Sequence, residues 1–237
     1  MIKLMVVTWL LAVHSLLVLA LIHTDLAYRI DRKLGLGYLQ PPELTSFYHN
    51  MLGSHLSLDG TVSSGSILFF GDSITQGLNV SGFKRPAINY GIGMDTSWGL
   101  LERLPKYASQ QQASAIVIAI GINDLLRTKR SNQEVIHNYQ RIFTYLPTEV
   151  PVFIQAILPV DEQHTQLGLN ARILKLNTSL QKLAQQHQFI FIDLHHQLVN
   201  SQGNLRAEFH TGDGLHLSPA AYRLWIELLQ QYLGVRS

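Results

Sequence analysis

The stretch Ser66–Gly77 reads SILFFGDSITQG, and it predicts a buried strand that ends in a turn carrying a serine. Residues 66–70 form a short apolar and aromatic run, which is typical of a strand covered on both faces. Gly71 lets the chain turn tightly, so Ser73 is expected at the carboxyl edge of a sheet, where open α/β sheets bind ligands. A helix beginning after Ser73 would favour developing negative charge there. An ordinary turn explains the same tripeptide, so a catalytic interpretation needs support from the rest of the chain.

The composition is that of a folded domain. The chain has 237 residues, of which 46% are hydrophobic and 14% charged, and this argues against disorder. The formal net charge of +2 gives no electrostatic reason to expect a nucleic-acid partner. There is no cysteine, which excludes disulfides, thiolate metal sites and a cysteine nucleophile.

The N-terminal stretch Leu4–Ile22 predicts a transmembrane helix. It contains 19 residues without a formal charge, and as a helix it would span about 28 Å, close to the thickness of a bilayer's hydrocarbon core. A cleaved signal peptide is the competing interpretation, but its apolar region is usually shorter. We predict an uncleaved signal-anchor in residues 1–22, a connecting region in residues 23–65 and a catalytic domain in residues 66–237.

Apolar runs alternate with helical patterns from Ser66 onward. The predicted strands are residues 66–70, 87–89, 115–120, 152–157 and 189–193. The predicted helices are residues 97–107, 131–145, 170–187 and 222–233, with a short helix at 43–56 before them. The spacing of Ser131 and Glu134 predicts a capping box at the start of one helix. This alternation predicts an α/β fold in which helices cover both faces of a parallel sheet.

A second segment of interest is Asn89–Thr96, NYGIGMDT. Two glycines within three residues allow a loop whose backbone N–H groups point inward. A plain strand-to-helix turn is the alternative.

A third segment, Gly121–Asp124, has the sequence GIND and follows the most apolar strand. Asn123 is therefore expected at the carboxyl edge of the sheet. Its amide can donate a hydrogen bond to an oxyanion without carrying a charge. Asparagine is also frequent in ordinary turns.

A fourth segment, Asp213–His216, has the sequence DGLH and precedes a helix that Ser218 and Pro219 begin. An Asp and a His three residues apart can place a carboxylate beside an imidazole. The carboxylate would orient the ring, and the ring would take a proton from a serine. A helix-capping Asp and a solvated His are the alternative.

Together, in this order, the four segments resemble the SGNH hydrolases, also called the GDSL esterase and lipase family. The resemblance covers about residues 66–233 and implies a flavodoxin-like three-layer α/β/α sandwich. It implies that Ser73 is the nucleophile, with Asp213 and His216 completing the triad. It also implies that the Ser73 amide and the Asn123 side chain belong to the oxyanion hole, and that no metal or organic cofactor is needed.

One position departs from the family's pattern. The family has a glycine directly before Asp-Thr, and the backbone amide of that glycine donates to the oxyanion. In this chain the position is Met94. Because only a backbone N–H is required, Met94 is the expected donor, with Gly93 as the alternative.

Other classes of protein fit the residues less well. Ser73 lacks the G-x-S-x-G of an α/β-hydrolase, and residues 71–77 lack the Gly-Lys-Ser/Thr of a phosphate loop. A non-catalytic binding domain is possible in principle, but such domains usually lose a member of the triad. A metal site is the remaining alternative, although its spacing is not that of a metalloenzyme; its candidate ligands are Asp193, His195, His196, His210, Asp213 and His216.

The sequence therefore predicts a membrane-anchored serine esterase that acts on a small-molecule, glycan or lipid ester; acyl transfer to an envelope polysaccharide or lipid is the alternative reaction. Lys3 and the amino terminus nearly balance Arg29, Arg32 and Lys33 after the predicted span, so the positive-inside rule favours a cytoplasmic domain only mildly and decides little. Because anchored or exported members of the family commonly act on external esters, the catalytic domain is expected in the periplasm or outside the cell.

Overall fold

The computed structural model describes residues 2–23, 26–34, 43–128 and 130–234. The chain divides into two compact units, Met1–Thr45 and Ser46–Ser237. The first unit contains helices α1 (Ile2–His23) and α2 (Leu26–Leu34). Pro41 and Pro42, at which the sequence predicts a break in the connecting region, lie outside the described residues.

The predicted transmembrane helix is not supported by the structure. A helix does form over Leu4–Ile22, inside α1. Within the described residues, however, no helix combines the length and the apolar character that crossing a membrane requires.

The second unit is built on a parallel sheet of five strands, in the spatial order β2-β1-β3-β4-β5. The strands are β1 (Ile67–Gly71), β2 (Ala87–Gly91), β3 (Ala115–Ala119), β4 (Val152–Gln155) and β5 (Ile190–Ile192). Each predicted strand is present, and the central ones are buried along their length. Such strands require cover on both faces, as the apolar runs indicated.

Helices cover both faces of this sheet. They are α3 (Ser46–Asp59), α4 (Ser73–Gln76), α5 (Ser97–Arg103), α6 (Ile122–Leu126), α7 (Asn132–Phe143), α8 (Leu169–Gln186), α9 (His195–Leu198) and α10 (Pro219–Gly234). Because crossovers between parallel strands are right-handed, this strand order places α5, α7 and α8 on one face and α4 on the other. The Tyr222 hydroxyl of α10 donates to the Ile74 carbonyl oxygen of α4 at 2.8 Å, so α10 lies on the same face as α4. The fold is therefore a three-layer α/β/α sandwich.

Helix boundaries follow local chemistry. The capping box predicted at Ser131 and Glu134 is present at the start of α7. The helix predicted for residues 97–107 ends earlier, at Arg103, and continues as a 3-10 turn over Leu104–Lys106. Pro105 has no N–H to continue the α-helical hydrogen bonding, which explains the early end.

The compact unit starts before the predicted domain boundary at residue 66 because α3 packs into it. Tyr48 is buried and its hydroxyl donates to the carbonyl oxygen of Gly99 at 2.7 Å. Asp59, at the end of α3, accepts from the Tyr90 hydroxyl at 2.7 Å and from the Ser109 hydroxyl at 2.5 Å. These buried hydrogen bonds join α3 to α5, to β2 and to the segment around Ser109.

The sheet register aligns the segments that follow three strands. Gly71 at the end of β1 pairs with Gly91 of β2 on one side and with Ala119 of β3 on the other. The GDS, GMDT and GIND segments therefore leave the same edge of the sheet side by side.

Candidate active site

Ser73 lies where β1 turns into α4. A Cβ atom at Gly71 would lie 2.0 Å from Thr75 Oγ1 and 2.2 Å from the Ala119 carbonyl oxygen, so this tight turn requires glycine. Asp72 caps α4: its Oδ1 accepts from the Ile74 N–H at 3.0 Å. Ser73 is the first residue of α4, where backbone N–H groups have no partner within the helix. Burial raises the pKa of Asp72 to about 7.

Ser73, His216 and Asp213 form one chain of hydrogen bonds. Ser73 Oγ lies 2.9 Å from His216 Nε2, and His216 Nδ1 lies 2.5 Å from Asp213 Oδ2. The two side chains of the Asp–His pair are 47% and 44% exposed, so solvent reaches them. The structure thus brings Ser73 to the Asp213–His216 pair, which lies 143 positions further along the chain when counted to His216, in the order that a serine–histidine–aspartate triad requires.

Asp213 is held in its ionised form. Burial acts to raise its pKa, but the His216 ring and the N–H groups of Leu215 and His216 hydrogen-bond the carboxylate and lower the pKa to about 2. An ionised carboxylate accepts the Nδ1–H of His216. This leaves the lone pair of Nε2 facing Ser73 Oγ.

Asn123 is buried in the first turn of α6. Its Nδ2 donates to the carbonyl oxygen of Asp95 at 3.0 Å, which fixes the orientation of the amide. A primary amide has two N–H groups, and the second has no partner among the described residues. Asn123 can therefore stay bonded to Asp95 while it donates to an oxyanion.

Met94 adopts a left-handed backbone conformation, with φ of 67°. This geometry explains why the family has glycine here, since side chains other than Asn and Asp rarely occupy it. The Gly93 N–H is already used, because it donates to Gln76 Oε1 at 2.7 Å. The Met94 N–H has no partner in the described part of the chain. Of the two predicted donors, the hydrogen bonding favours Met94.

A buried ion pair next to this loop was not predicted from the sequence. Arg103 Nε lies 2.8 Å from Asp95 Oδ2, and both side chains are fully buried. Arg103 also donates through Nη2 to the Gly71 carbonyl oxygen and through Nη1 to the Tyr107 hydroxyl, both at 3.1 Å. Burial raises the pKa of Asp95 to about 6, and Arg103, in contact at 2.8 Å, opposes that increase by stabilising the ionised carboxylate. Arg103 lies on a predicted helix, and its position in the sequence did not indicate that it pairs with Asp95.

Asp124 of the GIND segment is a second buried acid that the sequence did not single out. It accepts from the backbone N–H and the hydroxyl of Ser97, both at 2.7 Å, and Arg130 Nη1 lies 3.3 Å away. These bonds tie the start of α5 to α6. They hold the loops that contain Met94 and Asn123 against each other.

The alternative metal ligands do not form a single site. His196 pairs with Asp193 at 3.2 Å, and His216 pairs with Asp213. Among the described residues, the one group of three potential ligands that meet is Asp161, His164 and His210. Of these, only His210 was among the predicted candidates.

Comparison with known proteins agrees with this geometry. The model of the GDSL-like lipase/acylhydrolase family matches residues 69–224, and the chain belongs to this family. No curated protein matches the chain.

Solved structures give the same result. A protein from Streptococcus pneumonia, whose structure is described as that of a platelet activating factor, is 27% identical to this chain. The match covers 78% of this chain and 92% of that one, with a TM-score of 0.72. A lipase/acylhydrolase from Enterococcus faecalis is 25% identical, with coverage of 73% and 96% and a TM-score of 0.62. An acetyl-xylooligosaccharide esterase from Geobacillus Stearmophilus shares the fold at 18% identity, with coverage of 73% and 96% and a TM-score of 0.60. The predicted resemblance is therefore confirmed, and the chain is a hydrolase of the GDSL type.

Met94→Gly should stabilise the protein and keep its activity. A left-handed conformation costs a non-glycine residue roughly 1–2 kcal/mol, and the larger entropy of unfolded glycine offsets about 0.5–1 kcal/mol of this gain. We expect the free energy of unfolding to rise by up to ~1.5 kcal/mol, as measured by denaturant titration. Gln188→Gly is a matched control, because Gln188 is the other described non-glycine residue with positive φ, at 59°. A large loss of turnover confined to Met94→Gly would show that the methionine side chain itself is required. Proline cannot test this position, because its φ is fixed near −65°.

Asn123→Ala should lower kcat by ~10²- to 10³-fold with little change in KM, as expected for the loss of one oxyanion donor. Steady-state kinetics on a nitrophenyl ester measures this split. Asn177→Ala is the control, because Asn177 is also buried and its amide donates to the Ile157 carbonyl oxygen at 2.8 Å, without a hydrogen bond to the loops that contain Met94 and Asn123. A rise in KM alone, or an equal loss of kcat in both variants, would contradict the assignment of Asn123.

Proposed function

We propose that the protein is a serine esterase that hydrolyses carboxylic esters through Ser73, His216 and Asp213. The observation that carries the proposal is the hydrogen-bonded chain, with 2.9 Å between Ser73 Oγ and His216 Nε2 and 2.5 Å between His216 Nδ1 and Asp213 Oδ2. Membership of the GDSL-like lipase/acylhydrolase family supports it.

In the first half of the reaction, Ser73 Oγ attacks the ester carbonyl carbon as His216 Nε2 takes its proton. The resulting imidazolium is stabilised by Asp213. The tetrahedral intermediate then expels the alkoxide. His216 returns the proton to this leaving group, which departs as an alcohol, and the acyl group stays on Ser73.

The second half repeats these steps with water as the nucleophile. His216 takes a proton from the water as it attacks the acyl-enzyme, and then returns it to Ser73 Oγ as the carboxylic acid leaves. Each half passes through an oxyanion. We propose that the N–H groups of Ser73 and Met94 and the Asn123 amide bind this oxyanion, with the largest catalytic effect coming from donors already in place before charge develops.

The exposure of the site favours hydrolysis over acyl transfer. Nearly half of the surface of the Asp213 and His216 side chains is exposed, so water can reach the acyl-enzyme from the side of the general base. An acyltransferase must protect the same intermediate from water. The proposed substrate is an ester with an acetyl or other short acyl group on a sugar or lipid; this follows the family resemblance and the presence of an acetyl-xylooligosaccharide esterase among the proteins that share the fold.

Ser73→Ala and His216→Ala should each lower ester hydrolysis by ~10³-fold or more, because the residues act as a unit. Hydrolysis of nitrophenyl acetate, butyrate and longer esters measures this and should be fastest for the short acyl groups. A fluorophosphonate probe should label the wild type and Ser81→Ala, a control at an exposed serine, but not Ser73→Ala. Absence of labelling and turnover in the folded wild type would instead indicate a binding domain.

We also propose that the catalytic domain works in the periplasm or outside the cell. The apolar N-terminal sequence and the external substrates of exported family members support this proposal. Protease added to spheroplasts with intact inner membranes should degrade the domain, whereas a cytoplasmic control protein should survive. Protection of the domain until the membrane is lysed would contradict this location.

A further inference from the structure

A cluster of polar side chains contacts the loop that carries Asp213 and His216. His164 Nδ1 is 3.0 Å from Asp161 Oδ2, and His210 Nε2 is 3.6 Å from the same oxygen. His210 is buried, with only 4% of its side chain exposed, and its Nε2 has no hydrogen-bond partner among the described residues. One carboxylate and two imidazoles at these distances resemble an empty metal site.

The other ring nitrogen of His210 argues against a metal. Nδ1 accepts the backbone N–H of Gly212 at 3.0 Å and that of Gly214 at 3.1 Å. A nitrogen that accepts hydrogen bonds carries no proton, so the proton of neutral His210 is on Nε2. For Nε2 to bind a metal ion its proton would have to move to Nδ1, which would then lose both of these backbone hydrogen bonds. Nε2 lies 3.6 Å from Asp161 Oδ2, too far for a hydrogen bond but close enough for the negative carboxylate to favour a proton on Nε2.

The two N–H groups that His210 accepts lie on either side of Asp213. The same loop is exposed at its tip, and both of its glycines have positive φ, 107° at Gly212 and 74° at Gly214. Such a segment has many alternative conformations to lose when it orders. Because the buried His210 Nδ1 accepts an N–H group on each side of Asp213, it limits where the Asp213 carboxylate can lie.

The loop after β4, which contains Asp161 and His164, packs against the same segment at Gly214. The Asp161 N–H donates to the Gly214 carbonyl oxygen at 2.8 Å. A Cβ at Gly214 would lie 2.7 Å from the His164 Cβ and 2.8 Å from the Asp161 carbonyl oxygen, so the two loops are in close contact. His210 and Asp161 therefore both hydrogen-bond the backbone of residues 212–214, which carries the exposed Asp213 and leads to His216.

We propose that His210, as the Nε2–H tautomer, is a positioning residue that sets the geometry of Asp213 and His216 by accepting the N–H groups of Gly212 and Gly214. It acts through the loop and does not touch the reacting atoms. The inference rests on the proposed esterase function, because it assigns His210 a task in that reaction. Displacing a catalytic group by about 1 Å can cost ~10²-fold in rate, and the expected effect is of this kind.

Three variants separate positioning from simple structural support. Asn Oδ1 occupies the place of His Nδ1, so His210→Asn keeps the acceptor. His210→Gln moves the acceptor one bond further out, and His210→Leu removes it. We expect His210→Asn to keep kcat within a few-fold of the wild type, and His210→Gln and His210→Leu to lose ~10- to 100-fold in kcat, with KM little changed in all three. Assays are run well below the unfolding temperature of each variant.

Equal kcat in the Asn and Leu variants would overturn the proposal, as would losses that follow stability alone. A second readout does not depend on activity: the ¹⁵N NMR shift of His210 should show an unprotonated Nδ1, and the amide protons of Gly212 and Gly214 should exchange faster in His210→Leu than in His210→Asn. If the wild type neither hydrolyses esters nor reacts with fluorophosphonate, the esterase function fails, while the NMR result still tests the support of the loop. A protonated Nδ1 would overturn the proposal in either case.

Discussion

The buried ion pair between Arg103 and Asp95 connects the three segments that form the proposed oxyanion hole. Its guanidinium binds the carbonyl oxygen of Gly71, two residues before Ser73, and the carboxylate of Asp95, directly after Met94. The third connection is the Asp95 carbonyl oxygen, which accepts from Asn123. A single guanidinium thus fixes, directly or through one residue, the turn, the loop and the amide that have to converge on one oxygen atom.

A buried ion pair is not by itself a source of stability, because two charges lose their hydration and the attraction between them only partly compensates for it. Breaking one by removing a partner costs about 3–5 kcal/mol, since the other charge is left buried and unpaired. What the Arg103–Asp95 pair contributes here is a fixed geometry of the loops around it. Arg103 has a planar fork of fixed donors, and its bonds to Asp95, Gly71 and Tyr107 permit few other arrangements. Donors held in this way need little reorganisation when charge develops on the substrate.

The sequence predicted the features that depend on local chemistry. Ser73 and Asn123 were singled out because each follows an apolar strand, and Asp213 and His216 because of their spacing. Each segment alone also fitted an ordinary turn or cap, and only the resemblance of the ordered segments to the SGNH family assigned the four residues to one site. The pairing of Arg103 with Asp95 was missed, since a cation on an amphipathic helix looks the same whether it faces solvent or a buried acid. The partners of α3 were also missed, because Tyr90 and Ser109 are distant from Asp59 in sequence. The left-handed backbone conformation at Met94 likewise could not be predicted from the sequence and is seen only in the structure.

The most direct test of a pre-formed oxyanion hole is a crystal structure of the enzyme after Ser73 has reacted with a phosphonate ester, whose phosphoryl oxygen stands in for the oxyanion. We predict that this oxygen lies about 2.7–3.1 Å from the backbone nitrogens of Ser73 and Met94 and from Asn123 Nδ2, with the Asp95–Arg103 pair unmoved. A phosphoryl oxygen that faces solvent would contradict the account. So would one bound by the Gly93 N–H after its release from Gln76.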